Sequence, residues 1–297
     1  EGILKSEKKL IAVIREEMSE IRAQFGDDRR TQIIEDDTHE LPVIETKPVA
    51  EETAIMRLRD GQLRRMSPKL VDKVLAQPGV GEEVAEVIHT TTDSTLYFFT
   101  NHGNCFTLDV EKIPESVRQK ERGSLLTGLI AGLGDGEHAV AMICSKTDEM
   151  EKKGELLFIT RGGMVKRSAA SEYAIRRARF AALNLKDGDE LVGMAQVSPG
   201  DKDDLLLVTR NGMGIRFRLD TVPTTGRATA GVKGMTLDEE DAVCWFELPK
   251  PGDMLLLLTE RGFGKRMLAD DMERQGRAGK GQKLLPLTKN GAIGFKL

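Results

Sequence analysis

Lysine and arginine side chains recur three to four residues after a glycine that itself recurs along the chain. The glycine closes a short pattern, Thr (once Leu)-x-x-Gly, which is found at Leu58–Gly61, Thr100–Gly103, Thr160–Gly163, Thr209–Gly212 and Thr259–Gly262. The basic residues that follow it are Arg64, Arg65, Lys166, Arg167, Arg216, Lys265 and Arg266, and the second copy has Phe106 and Thr107 instead. Cations at equivalent positions of a repeated unit can neutralise successive phosphates of a nucleic-acid backbone without reading its sequence. The pattern predicts a stripe of charge that suits a bent duplex.

A structural role is the alternative for any single pair of these residues. Charged side chains on an exposed edge strand protect that edge from aggregation, and they need no ligand to do so. Four copies in register favour the polyanion surface over this alternative.

A second basic feature is a Gly- and Arg-rich loop later in each repeat. The loops contain Arg118–Gly123 in the second repeat, and in the next three repeats Arg176, Arg177, Arg179, Arg227, Lys233, Arg274, Arg277, Lys280 and Lys283. Glycines beside Arg and Lys let backbone N–H groups approach phosphate oxygens while the side chains neutralise the charge. A flexible connector is the alternative interpretation. The run of basic residues from Arg274 to Lys283, with no acidic residue among them, favours phosphate binding.

The elements that must position these residues are β-strands in a repeat of about fifty residues. The repeat glycines lie 42, 60, 49 and 50 residues apart. Apolar runs precede them at 96–99, 156–159, 205–208 and 255–258, and short continuous runs of this kind are typical of strands buried on both faces. With about four strands per repeat and five repeats, the sequence predicts a mainly β ring or array, because one unit cannot bury its own apolar face.

The first fifty residues differ from the repeats. Apolar residues at spacings of three and four predict an amphipathic helix over 3–25 that ends at Gly26 and needs a partner for its apolar stripe. Residues 34–50 are acidic, contain prolines and lack periodicity, which is typical of a linker. We therefore divide the chain into a helical segment (1–33), an acidic linker (34–50) and a β domain (51–297).

Composition excludes several classes of protein. The net charge of −4 lies entirely in residues 1–50, because the remaining 36 basic and 36 acidic residues cancel. Three distant cysteines disfavour a disulfide framework, four scattered histidines disfavour a metal site, and no apolar run is long enough to span a membrane. No stretch matches a phosphate-binding loop, a dinucleotide fingerprint or a calcium loop, and neither tyrosine has a catalytic cluster beside it in sequence. We assign no catalysis and no cofactor to this chain.

Three motifs carry a resemblance to a known family. Phe25-Gly-Asp-Asp-Arg-Arg-Thr31, which closes the charged helix before an acidic linker, resembles the end of the coiled-coil arm in bacterial type IIA topoisomerase A subunits. Asn184–Leu191 and Gly231-Val-Lys-Gly-Met235 are similar to their C-terminal β-pinwheel. The resemblance covers essentially the whole chain, in the order arm, linker, repeats.

The resemblance implies a disc or spiral of four-stranded blades that exchange strands and bind and bend duplex DNA around a basic rim. It also implies a cytoplasmic, nucleoid-associated bacterial protein whose partners are an ATP-hydrolysing B subunit together with a second A subunit. The catalytic tyrosine domain, the magnesium site and the ATP site of such an enzyme would lie outside this chain. A protein-interaction propeller remains the alternative from another class, and it predicts apolar or aromatic residues at the rim.

Two kinds of A subunit in this family, those of gyrase and of topoisomerase IV, are compatible with the sequence. Gyrase A subunits carry a Gln-Arg-Arg-Gly-Gly-Lys-Gly box in the first blade, which full DNA wrapping requires. The corresponding stretch here, 74–83, keeps two glycines, has no Arg or Lys, and gains Glu82 and Glu83. The nearest likeness to the box is Arg277-Ala-Gly-Lys-Gly281, in the fifth repeat. A degenerate box is typical of topoisomerase IV A subunits and slightly favours them, whereas other stretches resemble gyrase.

Overall fold

The computed structural model describes residues 6–28, 31, 49–77, 83–259, 262–285 and 293–296. The chain divides into two compact units, residues 1–47 and 48–297. In the first unit, helix α1 (Glu7–Phe25) confirms the predicted helix and ends where the Gly26 N–H donates to the Arg22 carbonyl at 2.9 Å. Six of its large apolar residues are exposed, from 39% at Leu10 to 77% at Phe25. The predicted linker residues 34–48 lie outside the described part of the chain.

The second unit consists of five antiparallel sheets, which we call blades 1 to 5 and which confirm the predicted mainly β repeat. Blade 1 contains β1 (Glu52–Leu58), β2 (Gln62–Met66), β3 (Val84–Thr91) and β6 (Ser124–Leu125). Blade 2 contains β4 (Thr95–Thr100), β5 (Asn104–Asp109), β7 (Ala139–Ser145) and β10 (Arg179–Ala181). Blade 3 contains β8 (Glu155–Thr160), β9 (Met164–Ala169), β11 (Leu191–Val197) and β14 (Val232–Lys233). Blade 4 contains β12 (Asp204–Thr209), β13 (Met213–Arg218), β15 (Val243–Glu247) and β18 (Gln282–Lys283). Blade 5 contains β16 (Met254–Thr259), β17 (Gly264–Leu268) and β19 (Ile293–Lys296).

Neighbouring blades exchange strands. In blades 1 to 4, three strands come from one repeat, and the fourth comes from the next repeat and pairs with the second strand of the hairpin. Blade 3, for example, receives β14, whose Val232 pairs with Val165 and whose Lys233 pairs with Met164. The second hairpin strand is therefore an internal strand of its sheet and not an edge strand.

The Thr-x-x-Gly pattern forms the hairpin turn of each blade. Its glycine has a positive φ in all five copies, for example 77° at Gly163, which is the conformation that glycine adopts without steric cost. The acidic turns later in the repeat stabilise these hairpins. In blade 3, Asp189 accepts a hydrogen bond from the Thr160 hydroxyl at 2.6 Å and another from the Gly162 N–H at 2.7 Å. Glu137 accepts one from the Thr100 hydroxyl of blade 2 at 2.6 Å.

The apolar core lies between the blades. Alternate residues of a strand point to opposite faces of the sheet, so one central strand serves two junctions. Leu157 and Ile159 of β8 pack against Leu205 and Leu207 of blade 4. The other face of β8 joins the aromatic cluster of blade 2, in which the rings of Phe99 and Phe158 lie 5.2 Å apart. The predicted burial on both faces is confirmed for β4, β8 and β12.

The prediction of burial on both faces is wrong for the run 255–258. Strand β16 alternates between exposed and buried residues, and Leu256 and Leu258 are 38% and 41% exposed. One of its faces packs on blade 4, and the described residues provide no blade against the other.

Helix α2 (Pro68–Leu75) was not predicted, because the sequence analysis predicts a β domain over residues 51–297. Val71 and Val74 pack it against Ala54 and Met56 of β1. In blades 2 to 5, this face of the sheet packs against the preceding blade. In blade 1, helix α2 covers it instead. A short α3 (Leu126–Leu129) follows β6.

Candidate nucleic-acid interface

The arginine found four residues after a turn glycine joins two blades. Arg65 donates through Nε to the Ile113 carbonyl at 2.7 Å. Arg167 donates to the Leu219 carbonyl at 3.5 Å and Arg216 to the Ala269 carbonyl at 2.8 Å. All three acceptors lie in the short 3₁₀ turn, or at its end, in the following blade. We call Arg65, Arg167 and Arg216 the junction arginines.

Carboxylates neutralise the junction arginines. Asp204, which is 4% exposed, lies 2.6 Å from Nε of Arg216 and 2.9 Å from Nη2 of Arg274. Glu155 lies 3.0 Å from Nε of Arg167. These guanidinium groups are held within the protein by carbonyls and carboxylates, which leaves little of each free for a phosphate.

The residue three positions after the turn glycine is also internal. Arg64 is 6% exposed and donates to the carbonyls of Arg118 and Gln119 at 3.0 Å, and burial lowers its pKa. Lys166 is 1% exposed and donates to the carbonyls of Ala182 and Arg227. Burial, followed by repulsion from Arg227, lowers the pKa of Lys166 to about 8.

These contacts correct the prediction for the strand cations. Arg64, Arg65, Lys166, Arg167 and Arg216 do not form an exposed stripe, because the strand and turn of the next repeat cover the strand that carries them. Their recurrence reflects a repeated junction between blades. The structure leaves Lys265 and Arg266 exposed, since blade 5 has no covering strand among the described residues.

The exposed cations lie instead on the segments that cross from one blade to the preceding one. We define crossover segments 1 to 4 as residues 114–125, 174–181, 222–233 and 272–283. Each one leaves a 3₁₀ turn and ends in the exchanged strand, β6, β10, β14 or β18, at the same outer position of its sheet. The segments therefore follow one edge of four consecutive blades.

Charge is concentrated on these segments. Together they carry twelve Lys and Arg against three Asp and Glu, whereas residues 51–297 as a whole hold 36 of each sign. The remainder of the second unit consequently has an excess of acidic residues. This segregation creates an electropositive edge on a domain that is neutral overall.

All nine residues predicted in the later loops fall on crossover segments 2 to 4. Arg176, Arg177, Lys233 and Lys283 are exposed and make no ion pair with a described carboxylate. Arg274 and Lys280 are exposed and lie 2.9 and 2.7 Å from single carboxylate oxygens of Asp204 and Asp238. The Lys280–Asp238 pair is exposed on both sides, so it is weak and easily exchanged for another anion, whereas the Asp204 carboxylate that pairs with Arg274 is buried.

Three arginines of the segments are oriented by neighbouring groups. Arg179 and Arg227 lie over the rings of Phe106 and Phe180, each 5.3 Å from the ring centroid. Arg179 also donates to the Gly132 carbonyl at 3.0 Å, and Arg277 donates to the Lys233 carbonyl at 2.5 Å. Such contacts fix the guanidinium groups while leaving Arg179 half exposed.

Three cations of crossover segment 1 were missing from the predicted set of contacts. Arg118, Lys120 and Arg122 are exposed there, and Glu121 separates the last two in sequence. The sequence analysis identified their loop, Arg118–Gly123, as basic but did not include the three residues among the predicted contacts, and the equivalence of the four segments adds them to the set.

We also searched the described part of the chain for a metal site and for a membrane-spanning helix. No group of three His, Cys, Asp or Glu residues is arranged to hold a metal ion there. Within the described residues, no helix has the length and apolar character that crossing a membrane requires. Residues 78–82, which belong to the predicted counterpart of the gyrase box, lie outside the described residues.

Comparison with known proteins identifies the family. The sequence profile described as the DNA gyrase C-terminal domain, beta-propeller, matches residues 94–146, 154–198, 203–244 and 253–293. The A subunit of DNA gyrase from Deinococcus deserti is 34% identical over 268 residues, which are 85% of this chain and 32% of that protein. The A subunit of DNA topoisomerase 4 from Bacillus subtilis is 33% identical over 260 residues, 85% of this chain and 31% of that protein.

A solved structure, the C-terminal domain of DNA topoisomerase IV, superposes with a TM-score of 0.73 at 28% identity and covers 84% of this chain and 78% of that one. The chain spans about a third of the length of the curated relatives named above. The predicted resemblance is confirmed by these matches. Since the family profile matches more than half of its residues, this chain belongs to the family of DNA gyrase C-terminal β-propeller domains.

Proposed function

We propose that this chain binds and bends duplex DNA along the edge formed by crossover segments 1 to 4. The observation that supports the proposal most is the placement of exposed, largely unpaired cations on equivalent segments of four consecutive blades. A duplex lying along these segments would meet a cluster of cations at each blade. Contacts of this kind go to phosphates and carry no sequence information, so binding would be independent of sequence.

The proposed contacts are the predicted loop cations together with three cations of the first segment. They comprise Arg118, Lys120, Arg122, Arg176, Arg177, Arg179, Arg227, Lys233, Arg274, Arg277, Lys280 and Lys283. Lys265 and Arg266 are exposed on blade 5. They belong to this set only if no further strand pairs with β17 and covers them. The junction arginines, Arg64 and Lys166 are not part of the proposed surface.

The proposal is tested by removing two cations from one segment. Arg176→Gln combined with Arg177→Gln should weaken binding to plain duplex by roughly tenfold or more and reduce the slope of log affinity against log salt by about 2. The matched control combines Lys152→Gln with Lys202→Gln. These lysines follow β7 and β11, the strands at the opposite edge of blades 2 and 3. Equal losses of DNA affinity in the two double variants would refute the proposal that DNA binds along the crossover segments.

Within a complete enzyme, we propose that the chain is the DNA-binding part of an A subunit, cytoplasmic and associated with the nucleoid. Its partners would be an ATP-hydrolysing B subunit together with a second A subunit. The ATP, the magnesium and the catalytic tyrosine would belong to other parts of that assembly. Relatives named gyrase and topoisomerase 4 both support this placement.

The composition of the first repeat helps to distinguish a topoisomerase IV from a gyrase. Residues 74–83 contain no Lys or Arg and include Glu82 and Glu83. Because an acidic stretch repels phosphates, we propose an incomplete wrap and an activity of the topoisomerase IV type, relaxation and decatenation. An assay of the complete enzyme on relaxed plasmid tests this. Unchanged linking number with efficient decatenation supports it, and negatively supercoiled product would assign the chain to gyrase.

A further inference from the structure

The junction between blades 2 and 3 lacks the ion pair that the next two junctions contain. Thr107 lies four residues after the turn glycine, the position that Arg167 and Arg216 occupy in blades 3 and 4. The carboxylate that pairs with those arginines comes from the first residue of the central strand, and in blade 2 this residue is Thr95. Both members of the ion pair are therefore replaced by threonine in blade 2.

A cavity of about 500 Å³ lies at this junction. Its walls include Thr95 and Thr107 of blade 2, together with Arg176 and Arg177 of crossover segment 2. Because threonine is much shorter than arginine, the room that a guanidinium group fills at the next two junctions stays open here. Pockets for small molecules have volumes of about 300 to 1,000 Å³, so this cavity is large enough for one.

The charge of the cavity favours an anionic ligand. Arg176, Arg177 and Lys112 line it, against one carboxylate, Asp109, which lies 2.8 Å from the Lys112 ammonium. Neither arginine forms an ion pair with a described carboxylate. The buried carboxylate that holds a guanidinium group at the next two junctions is missing, which disfavours a cationic ligand.

The cavity also has a hydrogen-bond donor and an apolar wall. The Thr95 hydroxyl makes no hydrogen bond to a described residue, so it can donate to a ligand. The Thr107 hydroxyl donates to the Arg177 carbonyl at 3.0 Å, which holds crossover segment 2 beside the cavity. Tyr97 and Ile175 supply the apolar wall. A ligand with a charged group and an organic body matches this arrangement.

We propose that this cavity binds a small phosphate monoester of about the size of a nucleoside monophosphate. Arg176 and Arg177 pair with the phosphate oxygens, and Thr95 donates a hydrogen bond to one of them. A guanidinium group suits this role because its planar set of donors matches two phosphate oxygens at once. Tyr97 and Ile175 contact the organic part of the ligand.

The bound monoester links two blades where the protein has no ion pair of its own. It contacts blade 2 through Thr95, and it contacts the segment that arrives from blade 3 through Arg176 and Arg177. Because a ligand that binds only the folded protein stabilises it, the melting temperature of the second unit rises on binding.

The test is a calorimetric titration of the full chain with AMP, in the absence of DNA. AMP should bind with a Kd on the order of 1 mM or lower. Adenosine, which lacks the phosphate, and inorganic phosphate, which lacks the organic part, should each bind at least about tenfold more weakly. Absence of AMP binding overturns the proposal, and so does inorganic phosphate or adenosine that binds as tightly as AMP.

The decisive variant fills the cavity with the ion pair of blade 4. Thr95→Asp combined with Thr107→Arg closes the cavity and keeps Arg176 and Arg177 on the surface. The affinity for AMP should fall by at least about tenfold. Affinity that survives in this variant would show that AMP is attracted by exposed arginines alone, and it would contradict a site in the cavity.

A second variant changes exposed side chains only, so that folding is preserved. Arg176→Gln combined with Arg177→Gln should keep the melting temperature of the free protein and lose at least about tenfold in AMP affinity. Lys152→Gln combined with Lys202→Gln is the matched control, and it should bind AMP as the wild type does. Equal losses in these two variants would show a general effect of net charge and refute the site.

Discussion

Nη1 of Arg216 in blade 4 donates to the carbonyl oxygen of Ala269 in blade 5 at 2.8 Å. The same relationship joins Arg65 to Ile113 and Arg167 to Leu219 at two other junctions. A basic residue at a fixed position of a repeat thus holds adjacent units together. Its function is to position blades, and the cations proposed to bind DNA are carried by a different part of each repeat.

Replacing Arg216 should destabilise the second unit. Arg216→Ala removes the charge that lies 2.6 Å from Asp204 and leaves that carboxylate, 4% exposed, with Arg274 as its remaining cation. Breaking a buried ion pair from one side costs about 3 to 5 kcal/mol when the remaining charge is unpaired, and because Arg274 stays beside Asp204 we expect a smaller loss, about 2 kcal/mol. Urea unfolding measures the loss.

The control for Arg216 lies two residues away on the same strand. Arg218 pairs with Asp220 at the surface, where both side chains are about one-third exposed or more. Arg218→Ala should change the free energy of unfolding by no more than about 1 kcal/mol. Similar losses in the two variants would show that the junction contact contributes nothing specific.

Lys166 should give the stability a distinctive dependence on pH. Its pKa in the folded protein is about 8, against an ordinary value of 10.5, because burial disfavours the charged form. Between these two values the unfolded chain binds more protons than the folded protein, so stability due to this residue rises as the pH increases. Below about pH 8 both states are protonated and the contribution is constant.

The measurement compares the wild type with Lys166→Met by chemical unfolding at several pH values. From about pH 8 to about pH 10, the wild type should gain about 1 kcal/mol per pH unit relative to the variant. Taking the difference removes the titration of other groups, including Cys105, whose raised pKa acts in the opposite direction. A pH-independent difference would mean that Lys166 is not desolvated in solution.

Gly231 is required where crossover segment 3 enters blade 3. Its φ is +78°, and a Cβ atom there would lie 2.5 Å from the Val165 carbonyl oxygen. Gly231→Ala should therefore lower the melting temperature, at a cost of about 2 kcal/mol. Gly226 lies in the same segment with nothing within 4 Å of the corresponding position. Gly226→Ala should be neutral to within about 0.5 kcal/mol, and an equally unstable control would remove the steric explanation.

Much of the fold could be predicted because the sequence features that indicate it involve only a few adjacent residues. Short apolar runs predicted the buried strands β4, β8 and β12, and the recurring glycines predicted hairpin turns with a positive φ. Helix α2 was missed because the eight residues Pro68–Leu75 were read within a β repeat. Its cue, Ser-Pro before apolar residues at spacings of one, three and four, was present.

The site could be predicted only in part. Arg177 and Arg216 have the same side chain and both were predicted to contact phosphates, yet one is exposed and the other joins two blades. The difference arises because β18 and the turn at Ala269, from the next repeat, cover the strand of Arg216. A contact made by residues of the next repeat leaves no trace in the local sequence. The basic loops could be recognised from the sequence because charge and glycine content are local properties.

The most direct measurement is the acetylation rate of individual lysines with and without plain duplex DNA, followed by mass spectrometry. Lys120, Lys233, Lys280 and Lys283 on the crossover segments should be protected several-fold by DNA, whereas Lys152, Lys202 and Lys250, which lie outside the segments, should react as in the free protein. Lys166 should be unreactive in both conditions because it is 1% exposed. Protection of Lys152, Lys202 and Lys250, with the segment lysines unchanged, would show that DNA binds elsewhere on the molecule.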